Sequence, residues 1–162
     1  MILYYFILNI GLALLVNVMP KKQLTIFISL LCALFQTALS IYAFLNLNQT
    51  DLVYFTYDAA GFLFLLVLNF LVFGTLFYGF AYLRDQSKAR FNLYHSALII
   101  LFTAITGAYL ANDLTVVWIF VEATTLAASV LIYHHRDDMA LEATWKYIFI
   151  CSSGIALAYI GV

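Results

Sequence analysis

Charge is scarce in this sequence: 9% of its 162 residues are Asp, Glu, Lys or Arg, against roughly a quarter in an ordinary soluble domain. A water-soluble chain must cover its core with polar side chains, and this one, 66% hydrophobic, has too few to do so. A bilayer removes the requirement, because lipid solvates apolar side chains directly. Cysteine is limited to two residues. Cys32 and Cys151 stand in separate apolar runs without Cys-x-x-Cys spacing, which excludes a disulfide framework or a zinc or iron–sulfur ligand set. Both read as small buried hydrophobes. The seven Lys and Arg residues, at net charge -1, form no basic stripe with interleaved aromatics, so nucleic acid is excluded as a partner. No Gly-rich phosphate loop, no nucleophile beside a base and no cofactor fingerprint is present. The chain is expected to bind no cofactor, and any redox chemistry belongs to another polypeptide. The first apolar run is expected to stay in the mature protein, because no basic residue precedes it and Met19, Pro20, Lys21 and Lys22 stand where the small cleavage-site residues of a leader would be.

What the sequence has is long apolar runs. A span takes about 20 such residues at about 1.5 Å rise each, and the charges fall almost entirely between runs of that length. The predicted fold class is all-α: a polytopic integral membrane protein with about six transmembrane helices. They cover Ile2 to Met19, Leu24 to Leu45, Asp58 to Leu83, Leu93 to Ala111, Leu114 to Tyr133 and Ala140 to Val162. The connections sort by sign. Lys21 and Lys22, then Arg84, Lys88 and Arg90, then Arg136 follow the odd-numbered helices, whereas the loops after helices 2 and 4 hold Asp51 and Asp113 and no base. The positive-inside rule then puts the N-terminus outside. Asp58 is expected to cap helix 3 through its carboxylate. Small residues four apart, Ala104/Ala108, Gly107/Ala111, Ala123/Ala127 and Gly154/Ala158, predict close packing of helices 4 to 6. The last apolar run reaches Val162 without a polar tail, which suggests a fragment.

Glu122 is the most informative residue. It lies about 12 Å from the outer end of helix 5, too deep for a carboxylate to reach water easily. A central charge costs roughly 2.5–3.5 kcal/mol on an insertion scale, and the Leu, Ile, Val and Phe residues of this span return roughly 3–6 kcal/mol, so the helix still inserts. Thr125 and Ser129 share its face and give that face hydrogen-bonding capacity. Two readings stand: Glu122 exchanges protons in a wet interior, or it is protonated and serves as interhelical glue. Lys146, about 9 Å into helix 6 from the inner side, is at a depth that permits approach to Glu122. It is equally placed to pair with Glu142 four residues earlier and to snorkel. His95, in the first turn of helix 4, is a weaker candidate for proton relay at physiological pH, its alternative being an interfacial anchor. His134, His135, Asp137 and Asp138 read as a solvated turn, not a metal site. Trp118 and the tyrosines near helix ends fit aromatic belts.

The run Val117-Trp118-Ile119-Phe120-Val121-Glu122-Ala123-Thr124-Thr125-Leu126-Ala127, with Leu141-Glu142-Ala143-Thr144-Trp145-Lys146-Tyr147 and Gly154-Ile155-Ala156-Leu157, resembles the antiporter-like proton-pumping membrane subunits of complex I, Mrp antiporters and energy-converting hydrogenases. Within that family the likeness is nearest to the hydrogenase-4 component F type. Asp58-Ala59-Ala60-Gly61 and Ala111-Asn112-Asp113-Leu114 also look like family positions. The likeness runs from about residue 55 to the end; helices 1 and 2 match only in hydropathy. It implies that Glu122 and Lys146 pair within a chain of buried ionisable residues and waters. It also implies redox-driven proton or sodium translocation in a hydrogenase-like or NADH-quinone oxidoreductase-like complex. The implied partners are other membrane subunits and a soluble redox arm, in a bacterial or archaeal plasma membrane. Family members have about fourteen helices, including broken ones and a further central lysine, and residues 1–162 correspond to the N-terminal portion as a single helical domain. Two other readings are a structural scaffold or assembly subunit that moves no ion, and part of a stand-alone cation/proton antiporter.

Overall fold

The computed structural model describes residues 1–162, with every side chain except that of His135. Six helices carry almost the whole chain: α1 Ile2–Val18, α2 Lys22–Leu45, α3 Ala59–Tyr82, α4 Lys88–Leu110, α5 Leu114–Ile132 and α6 Asp138–Gly161. Helices α2 to α6 are long and apolar enough to cross a bilayer. Helix α1, with 17 residues, sits at the short end of the roughly 17–25 that a span takes. The protein is an all-α polytopic membrane protein, as the hydropathy predicts.

Helix α4 is the centre of the bundle. Buried residues occur all round it, from Phe91 and His95 to Gly107 and Leu110, and it packs against α1, α2, α3 and α5. Apolar burial gives no net drive between helices in lipid, so polar ties and close packing hold the bundle. Thr106 Oγ1 of α4 donates to Gln36 Oε1 of α2 at 3.0 Å, and Tyr5 of α1 donates its hydroxyl to the same oxygen. Thr25 donates to Asn92 Oδ1 at 2.7 Å, and Asn92 Nδ2 donates to the Met19 carbonyl at 2.9 Å. Asn69 Nδ2 of α3 reaches Ser40 Oγ of α2 at 2.8 Å.

Two features depart from the expected boundaries. Helix α4 starts at Lys88, five residues before Leu93, because its first turn is held from outside: Phe91 is buried and Asn92 bonds both Thr25 and the chain at Met19. Between α2 and α3 the chain forms a small hairpin, β1 Thr50–Asp51 and β2 Phe55–Thr56, paired Thr50 to Thr56 and Asp51 to Phe55. Its turn places Leu52 and Val53 at positive φ, 57° and 65°. Phe55 lies against Phe6 of α1 and Phe120 of α5, and the Asn112 N–H donates to the Tyr54 carbonyl at 2.7 Å. At the same end Asp51 Oδ2 accepts from the Met1 ammonium at 2.9 Å, from the Ile2 N–H and from the Tyr57 hydroxyl. Burial would push the Asp51 carboxyl up, but these three donors together hold it below its ordinary value. At the opposite end Lys22 Nζ donates to the carbonyls of Arg84 and Gln86 at 2.8 and 2.6 Å, which joins the start of α2 to the loop after α3.

Candidate functional site

Asp113 fixes where α5 begins: its carboxylate accepts from the backbone N–H groups of Thr115 and Val116, satisfying donors that the first turn leaves free. Asp58 caps α3 through the Gly61 N–H, as expected, and Asp137 caps α6 through the Ala140 N–H at 2.6 Å. With α5 anchored at Asp113, Glu122 lies half-buried about two turns into the helix. Its Oε1 accepts a hydrogen bond from Ser152 Oγ of α6 at 2.5 Å.

A second contact fixes the register of the two antiparallel helices. Thr115 Oγ1 and Tyr159 OH lie 3.0 Å apart, and the Tyr159 ring packs on Trp118 with centroids 5.3 Å apart. The Thr115 and Glu122 bonds belong to one antiparallel register. That register sets Lys146 level with Ala128, six residues and about 9 Å along the helix from Glu122. Lys146 also projects about a third of a turn away from Ser152 around α6, given about 100° per residue, and its side chain is 68% exposed. Its ammonium donates to Glu142 Oε1 on the same face. The Glu122–Lys146 pair that the family likeness implies is therefore not in contact here, and the pairing of Lys146 with Glu142 is.

Thr125 and Ser129 are buried on α5. Each hydroxyl donates to its own helix, Thr125 to the Glu122 carbonyl and Ser129 to the Leu126 carbonyl, both at 2.7 Å. They offer lone pairs, not protons, to a neighbour. They lie between the level of Glu122 and just past that of Lys146. His95 is fully buried on α4. Its ring stacks on Phe80 at 5.0 Å and lies against Phe91 and Tyr94. Nδ1 meets the Phe91 carbonyl at 2.8 Å, so that nitrogen carries the proton and Nε2 presents a lone pair toward Gly79, where an added Cβ would lie 3.5 Å away. Nε2 has no hydrogen-bond partner among the described residues. These ring contacts are with residues of α3 and α4. The His134 ring meets Tyr94 edge-on at 5.6 Å, and the His135 side chain lies outside the described residues. Cys32 is buried and Cys151 is half-buried on α6.

Sequence reasoning missed Ser152. Depth could have found it: measured from the helix ends on the hairpin side, Ser152 and Glu122 are nearly level, about 13 and 12 Å in. It also missed the polar ties through Gln36 and Asn92, because amides in apolar runs show no partner until the helices are docked.

No family model matches this chain, and no solved structure matches it. A curated protein does: the hydrogenase-4 component F homolog of Methylacidiphilum infernorum (isolate V4), 29% identical over 114 residues, covering 67% of this chain and 24% of that protein. The chain thus spans about a quarter of the length of the relative it matches. It is similar to that relative over two thirds of its own residues, and the likeness to the hydrogenase-4 component F type read from its motifs stands.

Proposed function

We propose that this chain is the N-terminal portion of a membrane subunit that takes part in redox-driven proton or sodium translocation. The parent assembly is a hydrogenase-like or NADH-quinone oxidoreductase-like complex. The observation that carries the reading is the carboxylate of Glu122, set near the middle of a span and bonded across to the next helix at 2.5 Å. An ionisable group at that depth is costly and marks ion pathways in membrane proteins. The similarity to a hydrogenase-4 component F homolog supplies the class of assembly. In this reading Glu122 takes and gives the proton, and Lys146 is the next ionisable group toward the inner face. Thr125 lies between their levels and Ser129 just past that of Lys146. Electron transfer resides in a soluble partner of nickel–iron hydrogenase or NADH dehydrogenase type, in a prokaryotic plasma membrane with the N-terminus outside.

The test is Glu122→Gln in the full gene, measured as redox-driven proton uptake by inverted membrane vesicles. Coupled transport is expected to fall at least about tenfold, the scale of losing one positioned proton carrier, while the complex still assembles. Unchanged pumping would remove the reading. A structural scaffold is the second reading, favoured by the exposed Glu142–Lys146 pair on a helix with no buried residue. In lipid such a face calls for a protein neighbour. A scaffold predicts that Glu122→Gln leaves pumping intact and that Lys146→Met reduces the amount of complex recovered. Reading the coding sequence beyond codon 162 tests the portion reading: an in-frame continuation of further apolar spans supports it, and a stop codon there removes it.

A further inference from the structure

We propose that Ser152 is the positioning residue of Glu122: its hydroxyl holds Oε1 across the α5–α6 gap and leaves Oε2 as the oxygen that takes and releases the proton. The inference rests on the proton-carrying reading of Glu122 given above.

The contrast among neighbouring hydroxyls supports it. In a helix, Ser and Thr usually donate to the carbonyl three or four residues back, which satisfies the hydroxyl proton locally. Thr124, Thr125 and Ser129 of α5 do so, and so do Thr144 and Ser153 of α6. Ser152 does not. It gives its single proton to Glu122 at 2.5 Å, a length that belongs to hydroxyl donors on carboxylates, about 2.5–2.7 Å. Ser153, the next residue, is exposed and bonded to its own helix at the Phe149 carbonyl. One of two adjacent serines is thus committed to the carboxylate and the other is not.

Register makes the contact a fixed one. The Thr115–Tyr159 bond and the Trp118–Tyr159 ring contact lie about two turns away in the same antiparallel alignment, so Ser152 reaches Glu122 without a shift of α6. A hydroxyl keeps two lone pairs after donating, and with Oε1 occupied the carboxylate cannot turn freely. Protonation and deprotonation then fall on Oε2, with the O–H bond formed and broken there and Ser152 keeping its own proton throughout.

The experiment uses the complex purified from cells carrying the full gene. Infrared difference spectra assign the Glu122 carboxyl stretch as the band lost in Glu122→Gln. Ser152→Ala is expected to displace that band and to lower coupled transport by about tenfold, the scale of one hydrogen bond to a charged group. Ser152→Thr, which keeps a hydroxyl, should restore both, and Ser153→Ala should move neither. Ser152→Cys, a near-isostere with a weak donor, should give an intermediate displacement and serves if the alanine variant fails to accumulate. A Glu122 band unmoved in Ser152→Ala, or in Ser152→Cys, overturns the proposal even where Glu122→Gln abolishes pumping. A displaced band with full pumping in Glu122→Gln leaves Ser152 as the holder of Oε1 and brings down the translocation reading instead.

Discussion

Glu122 is a lone carboxylate inside an apolar run, and Ser152 holds it from the neighbouring helix. Lys146 lies about 9 Å and Glu122 about 16 Å from the Lys22-side ends of their predicted helices, a difference that a long lysine side chain could bridge. The pairing fails once Ser152 and Tyr159, two chemically ordinary residues, set the register of α6 on α5. Face matters as much as depth: Ser152 turns toward α5 while Lys146 turns outward to Glu142. A double-mutant cycle reads the difference. In this register the destabilisations of Glu122→Gln and Lys146→Met, measured by unfolding in detergent, should add to within about 0.5 kcal/mol, as for separated sites. Recovery of stability in the double variant, the mark of a directly paired buried couple, would mean that α6 turns Lys146 toward Glu122 in the folded protein.

Helices as elements are recoverable from hydropathy because each apolar run is about the length of a bilayer crossing. The first turn of α4 and the hairpin before α3 are not, since Lys88 and Arg90 break the apolar run at one and two-residue strands show no period at the other, and both are held by contacts with other elements. Small-residue spacing is informative at one of its expected sites and silent at another. Gly107 of α4 lies under the ring of Phe120, where an added Cβ would stand 2.4–2.6 Å from three ring atoms; around Gly154 nothing lies within 4 Å. Phe120 cannot move away freely, because it also stacks on Phe6 at 5.1 Å and meets Phe55 at 5.9 Å. Gly107→Ala should therefore cost about 1–3 kcal/mol, the usual penalty for overpacking, read as a lower unfolding midpoint in detergent. Adding Phe120→Leu should recover part of the loss by making room for the methyl group. Gly154→Ala should be neutral or stabilising in this chain, because the added methyl meets no atom and alanine is the better helix former by about 0.5–1 kcal/mol. Equal losses at both glycines would mean that the α4–α5 contact is looser than the Phe120 ring position indicates.

For the whole molecule, the two ends of the bundle differ in sign and in construction. One end gathers Lys21, Lys22, Arg84, Lys88, Arg90 and Arg136, with Lys22 tying the start of α2 to the loop after α3 through backbone carbonyls. The other end holds the hairpin, Asp51 with the Met1 ammonium, and Asp113 as the cap of α5. Basic loops remain on the cytoplasmic side during insertion, so the hairpin end is expected outside and the Lys22 end inside. Lys88 and Gln49 are both exposed and lie at opposite ends of the bundle, which makes them suitable reporters. In a background with Cys32 and Cys151 replaced by alanine, Lys88→Cys should react with a membrane-impermeant thiol reagent only after the cells are permeabilised. Gln49→Cys should react in intact cells. Neither side chain makes a bond that the fold depends on, so a change in labelling reports sidedness and not unfolding. The reverse pattern would place the hairpin in the cytoplasm. It would also invert the direction of the proposed proton path, since Lys146 would then lie nearer the outer face than Glu122.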